Sequence, residues 1–292
     1  MSLAGCRVGL VGVGLIAGSL GLVLRERAAV REVVGFGRSA EPLTRAVECG
    51  AIDRFSLNAE EALSGVDVVV LGVPLGVVRP VLEQIRPALK PSVVLSDVGS
   101  AKQCVIDDVQ AVFGRLPTGF VPGHPIAGTE HSGIDAAFPG LFVGRRVILT
   151  PTPETDSNAV GLISALWEAA GAEVVCMPVH THDRMLAMTS HLPHLLAFGL
   201  VDMLAGAPDH DETLRYAAGG FRDFTRIASS DPVMWRDICL GNQEALMEAL
   251  AAYRDDLAQL TALVAAGDGD GIEAVFKRAK QTRDAHLHWF ER

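Results

Sequence analysis

The segment that most restricts what this chain can fold into lies near its start. A short apolar run, Arg7-Val8-Gly9-Leu10-Val11, passes into Gly12-Val13-Gly14-Leu15-Ile16-Ala17-Gly18-Ser19 and then into a stretch of helical period. Gly12 permits a tight turn after a strand, Gly14 lets the backbone approach a bound group, and Ala17 keeps the third position small enough for the helix to lie against the sheet. A strand feeding a helix through such a turn opens a βαβ unit, and the unpaired N–H groups at the start of the helix form a seat for an anion such as a pyrophosphate. The turn therefore predicts dinucleotide binding, with Gly12, Gly14, Leu15 and Ile16 as contacts.

The same alternation continues to about residue 178. Strands are predicted over 7–11, 32–36, 66–73, 92–97, 119–122, 146–150 and 173–177, separated by Ala/Leu-rich helical stretches, and several are apolar throughout, as when both faces of a parallel sheet are covered. Val73 and Pro74, at the end of the third of these, are further cofactor candidates. After Pro178 the β-branched runs stop, and 184–204, 232–250, 252–266 and 272–290 carry apolar residues at helical spacing. The expected architecture is an α/β N-terminal Rossmann-type doubly wound domain, residues 1–178, followed by an all-α C-terminal domain, residues 179–292. Gly267-Asp268-Gly269-Asp270-Gly271 reads as a turn between helices.

Charge and cysteine content narrow the partners. A formal net charge of -10 disfavours nucleic acid and anionic membrane surfaces, so an anionic substrate needs local cations. The five cysteines form no CxxC pair and no metal-knuckle spacing, which fits a reducing compartment. The apolar run near 66–78 is broken by Asp67, Pro74 and Gly76 and is too short to span a bilayer, and the first strand begins almost at once, leaving no room for an export leader. A cytoplasmic protein is expected.

After the second strand, Gly37 stands where an NAD enzyme usually carries an acid for the ribose 2′-hydroxyl, while Arg38 and Ser39 are suited to a 2′-phosphate, so NADP is favoured over NAD. Two later stretches, Ser96-Asp97-Val98-Gly99-Ser100-Ala101-Lys102 and Gly123-His124-Pro125-Ile126-Ala127-Gly128-Thr129-Glu130, follow strand candidates. Loops at the carboxyl ends of strands form the ligand crevice of a doubly wound sheet, and His124 on such a loop is a candidate proton acceptor. Ser100 is also placed to cap a helix over 101–113. His191 and His194 fall three apart on one helix face, but no carboxylate or cysteine accompanies them at ligand spacing, and no metal is expected. For His180 and His182 a capping or surface role is expected.

Taken together, the glycine turn, Asp97 to Lys102, Gly123 to Glu130, Ser190-His191-Leu192-Pro193-His194 and Gly219-Gly220-Phe221-Arg222-Asp223-Phe224-Thr225-Arg226-Ile227-Ala228 resemble the prephenate and arogenate dehydrogenase family, in order and over nearly the whole chain. The resemblance implies oxidative decarboxylation of a cyclohexadienyl acid with hydride transfer to NAD(P). His124 would accept a hydrogen bond from the ring hydroxyl, Ser100 would orient it, and Arg226 would hold a substrate carboxylate through its planar fork. His194, Ser190, Gly219 and Thr129 would line the substrate pocket. Glu130 and Asp223 would belong to a gating ion network, Asp223 supplied by a partner subunit, and the helical half would join a homodimer. Trp235 also matches the family and is read as a buried interface tryptophan. The departure from the pattern is the missing acid at Gly37, which bears on cofactor choice.

Prephenate and arogenate differ by a keto against an amino group, and the sequence leaves both open, prephenate leading. Two rival readings carry less. A β-hydroxyacid dehydrogenase uses a helix lysine as acid/base, for which no motif is found, and a non-catalytic NAD(P) sensor has no need of His124, Ser100 and Arg226 together.

Overall fold

A computed structural model describes residues 3–129 and 131–290 of the chain. They fall into two compact units, Met1–Gln243 and Glu244–Arg292.

The first unit opens with β1 (Arg7–Val11), α1 (Leu15–Glu26), β2 (Glu32–Phe36), α2 (Ala40–Glu48), β3 (Arg54–Ser56), α3 (Ala59–Leu63), β4 (Val68–Leu71), α4 (Val78–Ile85), β5 (Val94–Asp97), α5 (Gln103–Phe113) and β6 (Phe120–Val121). The six strands form a parallel sheet in the order β3-β2-β1-β4-β5-β6, which is doubly wound about β1 and β4. Successive residues of β4 serve opposite faces. Val68 and Val70 pack in one core with Leu20 and Leu24 of α1, whereas Val69 and Leu71 pack in the other with Leu82 of α4 and Val109 of α5. Burial on both faces is why the strands read as unbroken apolar runs. β3 escaped the sequence reading because Arg54-Phe55-Ser56 is a three-residue edge strand with no apolar run to detect.

Pro122 then breaks the chain out of the first sheet. β7 (Gly123–Pro125), β8 (Arg146–Leu149), α6 (Ser157–Ala169) and β9 (Glu173–Cys176) follow, with β8 pairing antiparallel to β7 and parallel to β9. Leu162, Ile163, Leu166 and Trp167 of α6 close the core that Val147 and Leu149 of β8 share with α1.

The change from sheet to helix comes at Pro178, inside the first unit. α7 (Val179–Leu186) and α8 (Leu192–Ala205) are joined by a π-helical turn over Ala187–His191. Pro193 supplies the cause: lacking an N–H, it cannot bond the Thr189 carbonyl, and its ring crowds that carbonyl, so the turn widens. α9 (His210–Arg215), α10 (Gly219–Thr225) and α11 (Pro232–Gly241) complete the unit, α11 being capped by the Asp231 side chain on the Met234 N–H at 2.8 Å. The helical period read over 232–250 is interrupted at Asn242, where α11 ends and α12 (Gln243–Ala266) begins.

The second unit holds the rest of α12, α13 (Gly269–Ala285) and α14 (Leu287–Phe290). Gly267 turns the chain with φ +66°, and the Asp268 side chain caps α13 through the Gly271 N–H at 2.9 Å, as the Gly/Asp stretch predicted. No helix among the described residues is long and apolar enough to cross a membrane.

How tightly α1 is seated can be tested at Gly21. A Cβ there would lie 2.1 Å from the Ala51 carbonyl oxygen. The helix-propensity gain from Gly21→Ala, about 1 kcal/mol, is smaller than the overlap it creates, and a net loss of roughly 1–3 kcal/mol is expected. Urea unfolding checks this, and an unchanged or higher midpoint would contradict the packing.

Candidate active site

The glycine turn has the shape its sequence predicts. Gly12 adopts φ +83°, and a Cβ there would meet Val73 Cγ1 at 2.6 Å. Gly72 must also be bare, since a Cβ on it would lie 2.7 Å from the Ala17 methyl and 2.6 Å from the Gly12 carbonyl oxygen. Ala17 is thereby the small contact that lets α1 lie on the sheet. Gly14 differs from both. A Cβ on it would meet nothing within 4 Å, and it starts α1 without a side-chain cap. Open space beside a bare backbone and the uncapped first turn of a twelve-residue helix, with Leu15 and Ile16 at its start, fit a dinucleotide's pyrophosphate. Beyond β2, Arg38 and Ser39 are exposed, and among the described residues Arg38 has no hydrogen-bond or ion-pair partner. Val73 is half-buried and Pro74 exposed at the end of β4.

Next to this turn, β5 delivers Asp97 into the interior. Lys102 is fully buried, and its Nζ pairs with Asp97 Oδ2 and donates to the Gly123 carbonyl at 2.7 Å. Asp97 also accepts from the Gly99 N–H at 2.8 Å and the Gly123 N–H at 3.2 Å. Gly123 is thus clamped at both its N–H and its carbonyl, and the next residue is His124.

His124 lies on β7, paired with Ile148 of β8, and is 8 % exposed. It is therefore a strand residue and not the loop residue the flanking Gly and Pro suggested, because the clamp on Gly123 extends the backbone into pairing with β8. Burial foremost, followed by the nearby His182, Lys102 and His191, holds its pKa well below the usual histidine range, so the ring is neutral at physiological pH. Its Nδ1 lies 2.8 Å from His182 Nε2, and His182 Nδ1 lies 2.7 Å from Asp183 Oδ1. His182, expected in a capping or surface role, is fully buried, since α7 turns it inward against β7.

Asp183 does a second job. Its carboxylate accepts the Lys102 N–H and the Gln103 N–H, each at 2.9 Å, so α5 is capped by a residue eighty positions away. This corrects the role read for Ser100 as a cap: α5 begins at Gln103 with Lys102 at the N-cap position, and Ser100 lies three residues before its first residue. Burial alone would raise the Asp183 pKa, but the bonds from His182, Gln103 and Lys102 outweigh it and hold the group ionised. Among the described residues, Ser100 makes no hydrogen bond to His124.

The long helix brings in the remaining candidates. His191, on the π turn, is buried, and its Nδ1 accepts from Asn242 Nδ2 at 3.1 Å while the same amide donates to the Asp183 carbonyl at 2.8 Å. Desolvation lowers the His191 pKa to about 4, with Asp183 and the Ser100 backbone acting the other way. His194 donates from Nδ1 to the Ser190 carbonyl at 2.8 Å and stacks on Trp235 with ring centroids 3.5 Å apart. Trp235 is buried, as expected, yet its role here is as a platform for His194. Burial foremost and the Arg226 guanidinium lower the His194 pKa, the Ser190 carbonyl opposing them. Arg226 begins the turn after α10 and is exposed, and Gly219 opens α10.

Thr129 is exposed and bonds locally to the backbone of His131, and Asp223 is exposed beside Arg222 at 3.7 Å. Glu130 lies outside the described residues. No group of three or more His, Cys, Asp or Glu among the described residues is placed to hold a metal ion. The sequence reading quoted the stretch that holds Asp97 and Lys102 but gave neither a role, misplaced His182, and missed Asp183 and Asn242. A lysine in the otherwise apolar and glycine-rich stretch before α5, five residues after a strand-end aspartate, was the available signal for the first two.

A glycine turn with room for a pyrophosphate, together with a buried neutral imidazole on β7, fits a dinucleotide-dependent dehydrogenase. The profile of the prephenate dehydrogenase nucleotide-binding domain matches residues 20–176, and that of the prephenate dehydrogenase dimerization domain matches residues 178–278. The chain is 37% identical over 279 residues to a cyclohexadienyl dehydrogenase of Zymomonas mobilis, covering 94% of each, and 35% identical over 286 residues to a prephenate dehydrogenase of Bacillus subtilis, covering 94% of this chain and 74% of that one. Among solved structures it is similar to prephenate dehydrogenase from A. aeolicus in complex with hydroxyphenyl propionate and NAD+, with TM-score 0.90, 36% identity and coverage of 98% and 99% of the two chains. It is also similar to Synechocystis arogenate dehydrogenase, with TM-score 0.81, 30% identity and coverage of 96% and 99%. The chain belongs to the prephenate dehydrogenase family.

Two measurements check this geometry. Lys102→Met leaves Asp97 buried and uncompensated and is expected to cost about 3–5 kcal/mol; a loss under about 1 kcal/mol in urea unfolding would mean that the pair is not buried as described. The histidines give a pH test. A group whose folded pKa lies below its unfolded value of 6.5 loses stabilisation as pH falls through that gap, since the unfolded chain takes up the proton first. For His191 the gap from 6.5 to about 4 corresponds to about 3 kcal/mol, and His124 adds to it. Stability should fall as pH drops from 6.5 to 4, and a flat profile would contradict the buried neutral rings.

Proposed function

We propose that the protein is a cytoplasmic prephenate dehydrogenase, which converts prephenate to 4-hydroxyphenylpyruvate and carbon dioxide with hydride transfer to NAD(P). The observation that carries this reading is His124, a buried, neutral imidazole whose Nδ1 is already engaged, leaving Nε2 for substrate. The nicotinamide, when bound, accepts the hydride. His124 draws the proton of the ring hydroxyl as the hydride leaves and returns it to the phenolate oxygen as loss of the carboxylate makes the ring aromatic. Ser100 orients the hydroxyl, Arg226 clamps a carboxylate, and His194, Ser190, Gly219 and Thr129 line the pocket. Stacking on Trp235 holds His194 in one orientation, which suits a pocket wall.

Residues 1–178 serve the cofactor and residues 179–292 the substrate and the homodimer, with Glu130 and the partner's Asp223 in an ion network at the entrance. Arg38 and Ser39, exposed beyond β2 with no acid at Gly37, support NADP over NAD. The likeness to the Synechocystis arogenate dehydrogenase supports a second reading, in which arogenate is the substrate and tyrosine forms directly.

Steady-state kinetics with both acids and both cofactors test these readings. Prephenate with NADP is expected to give the highest kcat/KM. His124→Asn should lower kcat by roughly 10²–10⁴-fold with little change in cofactor KM, and Arg226→Ala should mainly raise the KM for the acid. Turnover of neither acid would overturn the proposal, and a strong NAD preference would overturn the role given to Arg38.

A further inference from the structure

His182 and Asp183, the fourth and fifth residues of α7, have no part in binding an anion or a cofactor, yet both are buried directly behind His124. Their hydrogen bonds admit a restricted set of proton positions. The Asp183 carboxylate, held ionised by two backbone N–H groups besides His182, can only accept, so His182 Nδ1 carries a hydrogen. With that one hydrogen on its ring, His182 has its lone pair on Nε2, and His124 Nδ1, 2.8 Å away, is then the donor. His124 is left with its lone pair on Nε2, the nitrogen free for substrate. Were His182 doubly protonated, His124 Nδ1 would have to accept and Nε2 would carry the hydrogen, so the base would be blocked.

We infer that Asp183 and His182 form a positioning relay, which fixes His124 in the Nδ1–H tautomer and shares the positive charge when its Nε2 takes the substrate proton. The inference rests on reading His124 as the base. In the charged state His124 Nδ1–H donates to His182, and the Asp183 carboxylate, one ring further on, supplies the compensating negative charge. The other charged or titratable groups facing His124 supply none. Lys102 is already neutralised by Asp97, and His191 is engaged by Asn242. The relay also explains why Asp183 caps α5. One carboxylate fixes the ring chain and the segment 97–102 together, so the His124 imidazole and the Gly123 clamp are set by the same group.

The direct test is the ¹⁵N NMR signature of the His124 ring in protein labelled at histidine, assigned by loss of the signal in His124→Asn. The wild-type protein should show Nδ1 protonated and Nε2 bare at neutral pH. In His182→Leu the acceptor is gone and the ring should revert to the Nε2–H form ordinary for histidine, with kcat falling roughly 10²–10³-fold and cofactor KM unchanged. His182→Gln, whose amide oxygen can accept from Nδ1–H but cannot take up a proton, should keep the Nδ1–H tautomer and recover at least about tenfold of that loss. An Nε2–H signal in the wild type, which needs no variant to fold, would overturn the relay, as would a Gln variant no better than the Leu variant. An Nδ1–H signal in a protein that turns over neither acid would support the relay and sink the functional reading instead.

Discussion

Asp97 and Lys102 are buried together, and the position of His124 depends on their staying paired. Two charges taken out of water cost several kcal/mol each unless attraction and hydrogen bonds offset the loss. Here the offset comes from four interactions at once: the ion pair itself, the Gly99 and Gly123 N–H groups on the carboxylate, and the Gly123 carbonyl on the ammonium. A side chain at Gly99 would meet Leu75 at 2.6 Å and Asp97 Oδ2 at 2.9 Å, so the glycine there is required by the closeness of the carboxylate. The pair ties the end of β5, the approach to α5 and the start of β7 into one rigid unit, and β7 carries the imidazole.

The second half of the site is positioned by helix geometry. The proline-induced π turn between α7 and α8 rotates His191 inward to Asn242, and the ordinary turn that follows sets His194 against Trp235. Wide turns of this kind are frequent where a helix serves a functional site. Asp183 connects the two halves, because it belongs to α7 and caps α5. A shift of α7 would therefore disturb the His182–His124 contact and the start of α5 together.

Much of the fold was legible because its signals are local. The apolar strands, the turn at Gly12 to Ala17 and the loss of strand character after Pro178 each follow from periodicity or from backbone constraints over a few residues. The polar interior was not legible in that way. His182-Asp183 looks like the exposed start of a helix, and nothing nearby reveals that its partners are at 102, 103 and 124. Ser100 has the spacing of a cap, yet the cap is Asp183, eighty residues on. Burial of polar groups is a tertiary fact, and only the order of the quoted motifs along the chain hinted that these segments meet. Arg226 and Asp223 show the converse: sequence likeness singles them out, while the geometry of one chain leaves both exposed.

The central claim is that the imidazole at His124 and the guanidinium at Arg226 serve one bound acid from opposite ends. A crystal structure with oxidised dinucleotide and a hydroxyphenyl propionate analogue measures this most directly. The account requires the analogue's hydroxyl within hydrogen-bond reach of His124 Nε2 and its carboxylate on Arg226. An analogue bound with its hydroxyl away from His124, or with its carboxylate on a different cation, would contradict it.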